Sequence, residues 1–344
     1  MRYLLPFCLL LAFCQTENQG RHLVVRVEKL ALRSAPGINS AETTLLRQGE
    51  KLLDLGEVSR FESHISFDGI ALQSPWLKVE TTEGKVGWVF AGAVLPHVDP
   101  TGWLLQKRLL CYFGSSVTSR LHSWKNSANE LQTDGQLAAY FREALALRDS
   151  MLHLLEYRAE PSGRPDFTWF ADGVLPGFIY QQPSGGAAPF LYADYRYWHQ
   201  IARQTTGPAD EAFFETCFAA FPLDSIESLF PVWKFQLSET ESASQLGSGQ
   251  HLKMLQLLDQ TLTQSPLFEP ELMRLKDALL DDIQDKNTQF WQEKALILKE
   301  LDAIMTQAPA CVRLQERQAL APRRTMLEAA ESNGIRVGLR AGAY

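Results

Sequence analysis

Residues 76–95 read WLKVETTEGKVGWVFAGAVL, and this stretch decides the fold of the N-terminal part of the chain. Apolar and polar residues alternate on both sides of residues 81–84, which is the period of a β-strand that buries one face. Gly84 stands at the end of the intervening segment, where a glycine readily takes up the positive φ of a tight turn. The pattern predicts a β-hairpin whose second strand runs over residues 85–90.

The residues before this hairpin show the same pattern of short strands separated by turns. Residues 21–27 are rich in Leu and Val and predict a first strand, and residues 30–37 end in a Pro36-Gly37 turn. Residues 45–56 read as strand, glycine turn and strand. Five short strands with close-set turns predict a small β-barrel over residues 21–98.

Three pieces of this region resemble the bacterial SH3 (SH3b) domain: residues 30–37, 46–55 and 76–94. The last piece is the most specific, because Gly84, Gly87 and Trp88 match the glycine-x-x-glycine-tryptophan-valine closing strand of that family. Ala35 departs from it, since the family usually has a glycine there. The resemblance implies an SH3-like barrel in a protein that acts outside the bacterial cytoplasm, where such modules often bind cell-wall peptides or glycan.

The segment from residue 57 to residue 74 is longer than the family usually has at that place and is interpreted as a loop. It contains Phe61 and Phe67, which are candidate ligand contacts if the loop forms a binding lip. The alternative is a loop that tucks in its own apolar residues. Trp76 is a third candidate contact, with core packing as an equal alternative, whereas Trp88 is interpreted as a core residue.

The amino terminus has the pattern of an export signal over residues 1–20. Arg2 precedes an apolar run over residues 4–13, which is too short to span a bilayer but suits a secretory leader. Residues 11–14 resemble the lipobox of bacterial lipoproteins, so Cys14 is a candidate for lipidation, although Phe13 stands where a small residue is usual. Cleavage without lipid and an uncleaved or mis-started terminus are the alternatives. We therefore expect a membrane-anchored periplasmic or outer-membrane lipoprotein, or a secreted protein.

The remainder, residues 99–344, predicts a mainly helical domain, so the expected fold class is α+β. Apolar residues recur at helical spacing between residues 136 and 157, with Thr133 or Asp134 as the N-cap. Residues 161–190 are rich in Gly and Pro and predict an irregular insertion that has room for a short hairpin. Residues 238–250 are rich in Ser and Gly and predict a polar linker.

An apolar stripe from residue 271 to residue 307 predicts the longest helix of the chain, which at 1.5 Å per residue would extend roughly 55 Å. A helix of that length usually packs along a bundle or pairs with a partner. Asp281, Asp282 and Asp285 lie opposite the stripe and are interpreted as a solvated face. The aromatic cluster over residues 192–199 is interpreted as core packing, with a sugar or peptide platform as the alternative.

Composition argues against several kinds of activity. The formal charge of −7 gives no overall attraction for nucleic acid. The five cysteines form no CxxC pair and the histidines stand alone in the sequence, so we expect no metal site and no cofactor. Cys111 and Cys217 lie in apolar runs, which disfavours the thiolate that a cysteine peptidase needs.

The sequence therefore favours an exported, membrane-anchored and non-catalytic protein that binds a peptide, glycan or protein of the cell envelope through an SH3b module and a helical body. Two alternatives stay open. One is a cell-wall-acting hydrolase in which the SH3b module is a targeting appendage. The other is a structural assembly part that uses the helix over residues 271–307. The sequence indicates no particular oligomeric state.

Overall fold

The computed structural model describes residues 22–67, 69–97, 102–157, 168–171, 173–181, 189–222, 230–238, 241–307 and 309–329. The leader and Cys14 lie outside these residues, so export and lipidation stay predictions. The chain divides into two compact units, residues 1–123 with 149–174 and residues 124–148 with 175–344. The first unit thus takes in residues beyond 98, where the sequence predicted its end. The expected combination of a strand-rich N-terminal part and a mainly helical remainder is confirmed.

The first unit contains a seven-stranded antiparallel sheet with the strand order β3-β2-β6-β5-β4-β1-β7. The strands are β1 (His22–Val25), β2 (Lys29–Arg33), β3 (Glu42–Arg47), β4 (Lys51–Phe67), β5 (Ile70–Thr81), β6 (Val86–Phe90) and β7 (Val94–Pro96). In the described part of the chain β3 and β7 are the two edges and do not pair with each other. The sheet is therefore open, and the closed five-stranded barrel expected from the sequence is not observed.

The hairpin predicted from residues 76–95 is confirmed, with β5 and β6 paired from Trp76↔Phe90 to Glu80↔Val86. Gly84 has a φ of 81° in the turn, as its position in the motif requires. Gly87 has a different role, because a Cβ there would lie 2.7 Å from the backbone oxygen of Arg33. The absent side chain therefore lets β6 pass close to β2.

Residues 57–74 are not a loop but the outer part of the β4–β5 hairpin. The pairing of β4 with β5 continues to Phe67↔Ile70, and its register shifts between Asp54 and Val58 and again between Val58 and Glu62. Such shifts break the strict alternation by which a strand is recognised in a sequence. This irregularity explains why the sequence pattern predicted a loop there.

The helix α1 (Trp103–Ser127) packs on this hairpin through residues that belong to the first unit. The Glu62 carboxylate, whose side chain is 2% exposed, accepts hydrogen bonds from Arg108 Nε at 3.0 Å and from the Tyr112 hydroxyl at 2.9 Å. Lys107 Nζ pairs with Asp54 Oδ2 at 2.5 Å. These buried polar contacts bind the start of α1 to the sheet and explain why the first unit extends beyond residue 98.

The second unit is built mainly from helices. They are α2 (Asp134–Tyr157), whose residues to 148 belong here, α3 (Tyr195–Ala202), α4 (Ala209–Ala220), α5 (Gln250–Gln264), α6 (Glu269–Gln284), α7 (Lys294–Thr306) and α8 (Leu314–Ala329). Two hairpins join them: β8 (Phe178–Gln181) with β9 (Phe190–Ala193), and β10 (Lys234–Gln236) with β11 (Ser242–Ser244). Among the helices of the described residues, none combines the length and the apolar character needed to cross a bilayer.

Several elements of this unit confirm the sequence analysis. α2 starts with a capping box, in which the Gln136 amide group accepts from the Thr133 backbone N–H at 3.1 Å and the Thr133 hydroxyl accepts from the Gln136 backbone N–H at 3.3 Å. β8 lies within the predicted insertion and its hairpin partner β9 begins at the last residue of it, while much of the insertion lies outside the described residues. Trp198 is fully buried, with its ring centroid 4.8 Å from that of Phe141. Core packing is therefore confirmed for this tryptophan.

The predicted helix over residues 271–307 is wrong, because α6 ends at Gln284 and α7 begins only at Lys294. Asp285 leaves the helical conformation with φ −62° and ψ 123°. Its carboxylate accepts from the Asn287 backbone N–H at 2.9 Å, a local bond that competes with helix continuation. The assembly alternative relied on that long helix and loses its structural basis.

The predicted linker over residues 238–250 is also wrong where the structure describes it. Ser244 and Leu246 are fully buried, and β11 crosses this segment. Ser and Gly content indicated solvent exposure, whereas the Ser244 hydroxyl donates a buried hydrogen bond to Asp282 of α6, and the backbone N–H groups of Gly247 and Gly249 donate to Glu300 of α7. These bonds form the centre of the site described next.

Candidate functional site

Three expectations from the sequence fail at one place in the second unit. Part of the presumed linker is buried, the predicted long helix breaks, and Asp282 is not solvated. A buried polar cluster lies at this place, where Asp282 also contacts His251. We call the side chains of Lys234, Ser244, His251 and Asp282 the Asp282 network.

Asp282 projects from α6 and its side chain is only 1% exposed. Its Oδ2 accepts from the Ser244 hydroxyl at 2.5 Å and contacts His251 Nε2 at 2.8 Å. Its Oδ1 forms an ion pair with Lys234 Nζ. The carboxylate thus draws together β10, β11, α5 and α6, and its partners offset the cost of burying a charge.

The electrostatics of the cluster keep Asp282 ionised. Burial alone would raise the pKa of this carboxyl, but the hydrogen bond with His251 and the ion pair with Lys234 outweigh burial and hold the pKa below its ordinary value. His251 is fully buried, and its Nδ1 has no hydrogen-bond partner in the described part of the chain. Since Nε2 faces a carboxylate oxygen, which can only accept, Nε2 is the donor of this hydrogen bond.

The network contains a serine, a histidine and an aspartate, but not in the geometry of a nucleophilic triad. Such a triad needs the imidazole to accept the serine proton. Here the Ser244 hydroxyl donates to Asp282, and the same carboxylate oxygen contacts His251 Nε2. With Ser244 and His251 both fully buried, the cluster is a fixed structural support and not a reactive centre.

An open pocket of about 260 Å³ lies beside the network. It is surrounded mostly by polar side chains: Lys234, Leu237, Glu241, Ser242, Asp285, Asn287, Thr288 and Gln289. Lys234 belongs to both the pocket and the network. The pocket therefore lies between the β10–β11 hairpin and the segment that separates α6 from α7.

Backbone hydrogen bonds fix one wall of this pocket. Ser244 N–H donates to the Gln289 carbonyl at 2.6 Å, and Trp291 N–H donates to the Ser244 carbonyl at 2.9 Å. Residues 289–291 thus lie against β11 in a parallel bridge between Ser244 and Phe290. The segment after α6 is held as a third strand-like edge of a small sheet.

Arg323 of α8 supports the same segment from its other end. Its guanidinium donates to the carbonyl of Ile283 at 2.9 Å and to that of Asp285 at 2.8 Å. It also lies 5.7 Å from the ring centroid of Phe290. A cation at the C-terminal carbonyls of a helix satisfies groups that have no partner within the helix. Arg323 thus stabilises the helix end from which the pocket segment starts.

Glu300 of α7 holds the start of α5, the helix that carries His251. Its carboxylate accepts from the backbone N–H of Gly247 at 2.5 Å, of Gly249 at 2.9 Å and of Leu252 at 3.1 Å. An anion at a helix N-terminus is favoured by the unpaired N–H groups and the helix dipole. This position is filled by the chain's own carboxylate and is not available for a ligand.

The three ligand candidates in the first unit have different surroundings. Trp76 is 2% exposed and its Nε1 donates to the Ser63 hydroxyl at 2.8 Å, so the interpretation as a ligand platform is corrected to a core residue. Phe67 is half-buried, with its ring centroid 6.0 Å from that of Phe90 in the sheet core. Phe61 is 45% exposed and is the candidate of this set that stays accessible.

Two cysteines of the described residues lie in protected surroundings. Cys111 and Cys217 are buried, and burial raises the pKa of the Cys217 thiol well above its ordinary value. Within the described ranges no group of three or more His, Cys, Asp and Glu side chains is arranged to hold a metal ion.

Comparison of the chain with models of protein families, with curated proteins and with solved structures finds no match.

The Asp282 network escaped the sequence analysis because its members lie far apart along the chain and form no local motif. One signal was present: residues 285–288 read DKNT, and Asp, Asn and Thr are among the poorer helix formers. A second was the apolar Ala243 and Leu246 inside the presumed linker. Both signals point to a buried turn rather than to a continuous helix and a solvated linker.

Proposed function

We propose that the chain is an exported, non-catalytic binding protein of the bacterial cell envelope, anchored to the membrane through lipid on Cys14. The observation that carries the binding role is the open polar pocket built on the Asp282 network. Its wall is fixed by backbone bonds to β11 and by Arg323. A site that is rigid before its ligand arrives loses less entropy on binding.

The chemistry around the pocket supports binding rather than catalysis. Ser244 and His251 are fully buried, so neither can reach a bound molecule. The ammonium group of Lys234 forms an ion pair with Asp282, which restrains this hydrogen-bond donor at the pocket. The pocket side chains offer hydrogen bonds but no nucleophile activated by a neighbouring base.

The first unit enters this proposal as an SH3b-like module. Support comes from its antiparallel sheet and from the separate roles of Gly84 and Gly87, which explain the spacing of the closing-strand motif. Phe61, exposed on the β4–β5 hairpin, offers this module an apolar contact for an envelope peptide, glycan or protein.

Co-sedimentation of the full chain with a purified envelope fraction that contains sacculi tests this function. We expect the wild type to be retained, and retention to fall for the double variant Asn287→Ala/Gln289→Ala, whose side chains are exposed at the pocket. Asp281→Asn on the solvent face of α6 is the matched control and keeps full retention. Failure of the wild type to sediment with the envelope would overturn the proposal.

The same envelope preparation also tests the alternative function, a cell-wall hydrolase. We expect no release of soluble fragments from sacculi incubated with the protein. Fragment release that is abolished by Cys111→Ala or Cys217→Ala would replace the binding function with a catalytic one.

A further inference from the structure

The side chains around the pocket combine hydrogen-bond donors and acceptors of three chemical kinds. Two carboxylates, two amides and two hydroxyl groups line it: Glu241, Asp285, Asn287, Gln289, Ser242 and Thr288. Amides and hydroxyl groups both donate and accept, and carboxylates accept. A ligand that itself carries many groups able to donate and accept matches this lining best.

The charge of the lining disfavours an anionic ligand. The positive charge of Lys234 is compensated by Asp282, while the carboxylates of Glu241 and Asp285 are exposed at the pocket. An approaching phosphate or carboxylate would meet two negative charges against one compensated cation, a like-charge arrangement that weakens binding.

Lys234 supplies a fixed donor at the pocket. Its side chain is 26% exposed, and Asp282 holds its ammonium group. An ammonium has three N–H donors, and the ion pair with one carboxylate oxygen leaves donor capacity that can face the pocket. Because the Asp282 network restrains this side chain, a ligand hydroxyl that accepts from Lys234 binds without having to order it.

We infer that the pocket binds a neutral, hydroxyl-rich saccharide. The amide groups donate and accept hydrogen bonds with the ligand hydroxyl groups, the carboxylates accept from them, and Lys234 donates a further hydrogen bond. This inference rests on the proposed binding function and names its ligand class. The volume of about 260 Å³ lies just below the common range of about 300–1,000 Å³ for small-molecule sites, which suits one end of a longer glycan.

Isothermal titration of the full chain with two neutral tetrasaccharides tests the inference, one of β-1,4-linked N-acetylglucosamine and one of α-1,4-linked glucose. We expect at least one to bind, and its affinity to fall about tenfold or more in Asn287→Ala/Gln289→Ala through the loss of side-chain hydrogen bonds. Asp281→Asn binds like the wild type. Circular dichroism and the thermal midpoint check that each variant is folded.

Three results would overturn the inference: no binding of either tetrasaccharide at millimolar concentration, equal binding by the wild type and the double variant, or binding of orthophosphate or spermidine instead. The two proposals fail in distinguishable ways. Retention by the envelope fraction without saccharide binding rejects the ligand class alone, whereas loss of both rejects the binding function as well.

Discussion

Asp282 makes its contacts with side chains from three separate segments: Lys234 on β10, Ser244 on β11 and His251 on α5. Without the carboxylate each of these side chains would lose a hydrogen-bond or ion-pair partner in a largely buried region. Removing one member of a buried pair leaves the other charge uncompensated, which costs more than the pair itself contributes. The neighbouring Asp281 is exposed and has no comparable role.

Replacement of Asp282 by Asn tests this difference between neighbours. We expect Asp282→Asn to lower the free energy of unfolding by about 3–5 kcal/mol, since Lys234 loses its counter-ion and His251 its charged acceptor. Asp281→Asn, one residue earlier on the same helix, should change it by less than about 0.5 kcal/mol. Urea titration followed by circular dichroism gives both values, and equal small effects would contradict the assigned role.

The stability that Asp282 contributes should depend on pH. Its pKa in the folded protein lies below the ordinary value of about 3.9, so folding favours the ionised form. Its contribution is fully present above the ordinary pKa and is lost as the pH falls through the folded pKa. Urea titrations from pH 7 down to the acid limit of folding should show the gap between the wild type and Asp282→Asn narrowing below about pH 4. A gap that stays constant or widens would contradict this linkage.

At the level of elements, the start of α5 depends on a residue from another helix. The Glu300 carboxylate of α7 accepts hydrogen bonds from three backbone N–H groups there. Glu300 is 6% exposed. We expect Glu300→Ala to lower the free energy of unfolding by about 1–3 kcal/mol, because buried N–H groups lose a charged acceptor. Chemical denaturation measures this loss.

Lys299→Ala provides the control for that experiment. Lys299 precedes Glu300 on the same helix and is exposed. Alanine is a good helix former, so the substitution should change the free energy of unfolding by no more than about 0.5 kcal/mol. Comparable losses in both variants would show that the helix, and not the Glu300 carboxylate, accounts for the effect.

The sequence predicted those elements whose turn, cap and periodicity signals are regular and lie close together in the chain. The β5–β6 hairpin and the N-cap and helix of α2 were visible because turn, cap and periodicity signals lie within a few residues of each other. The outer β4–β5 hairpin was missed because its register shifts hide the alternation. Local periodicity therefore recovers regular elements and fails at irregular ones.

The candidate site could not be predicted because long-range packing decides it. Asp281 and Asp282 are the same residue type in adjacent positions, and only the fold places one in solvent and the other against Lys234 and His251. The apolar stripe continued past residue 284 although the helix did not, because Phe290 is buried in the segment between α6 and α7. Places where several local rules fail together are often functional sites.

At the scale of the whole molecule, each compact unit has its own buried core, with Trp76 in the first and the Asp282 network in the second. Trp76→Phe should cost about 1–3 kcal/mol, since it removes ring volume and the indole hydrogen bond to Ser63. Sites that share no partners have additive effects within about 0.5 kcal/mol. We therefore expect the losses of Trp76→Phe and Asp282→Asn to add in the double variant.

Urea titration of the two single variants and the double variant measures this additivity. A departure from the sum greater than about 1 kcal/mol would show that the two sites are energetically coupled. In that case the pocket could not be treated as a property of the second unit alone.

The central claim is that the pocket beside the Asp282 network is where the molecule binds its envelope ligand. Competition during co-sedimentation tests it most directly: the wild-type chain is bound to the envelope fraction, and the tetrasaccharide that binds in isothermal titration is added in excess. We expect the protein to move to the supernatant as the concentration of the tetrasaccharide rises. Protein that stays with the envelope while its pocket is saturated would contradict the claim.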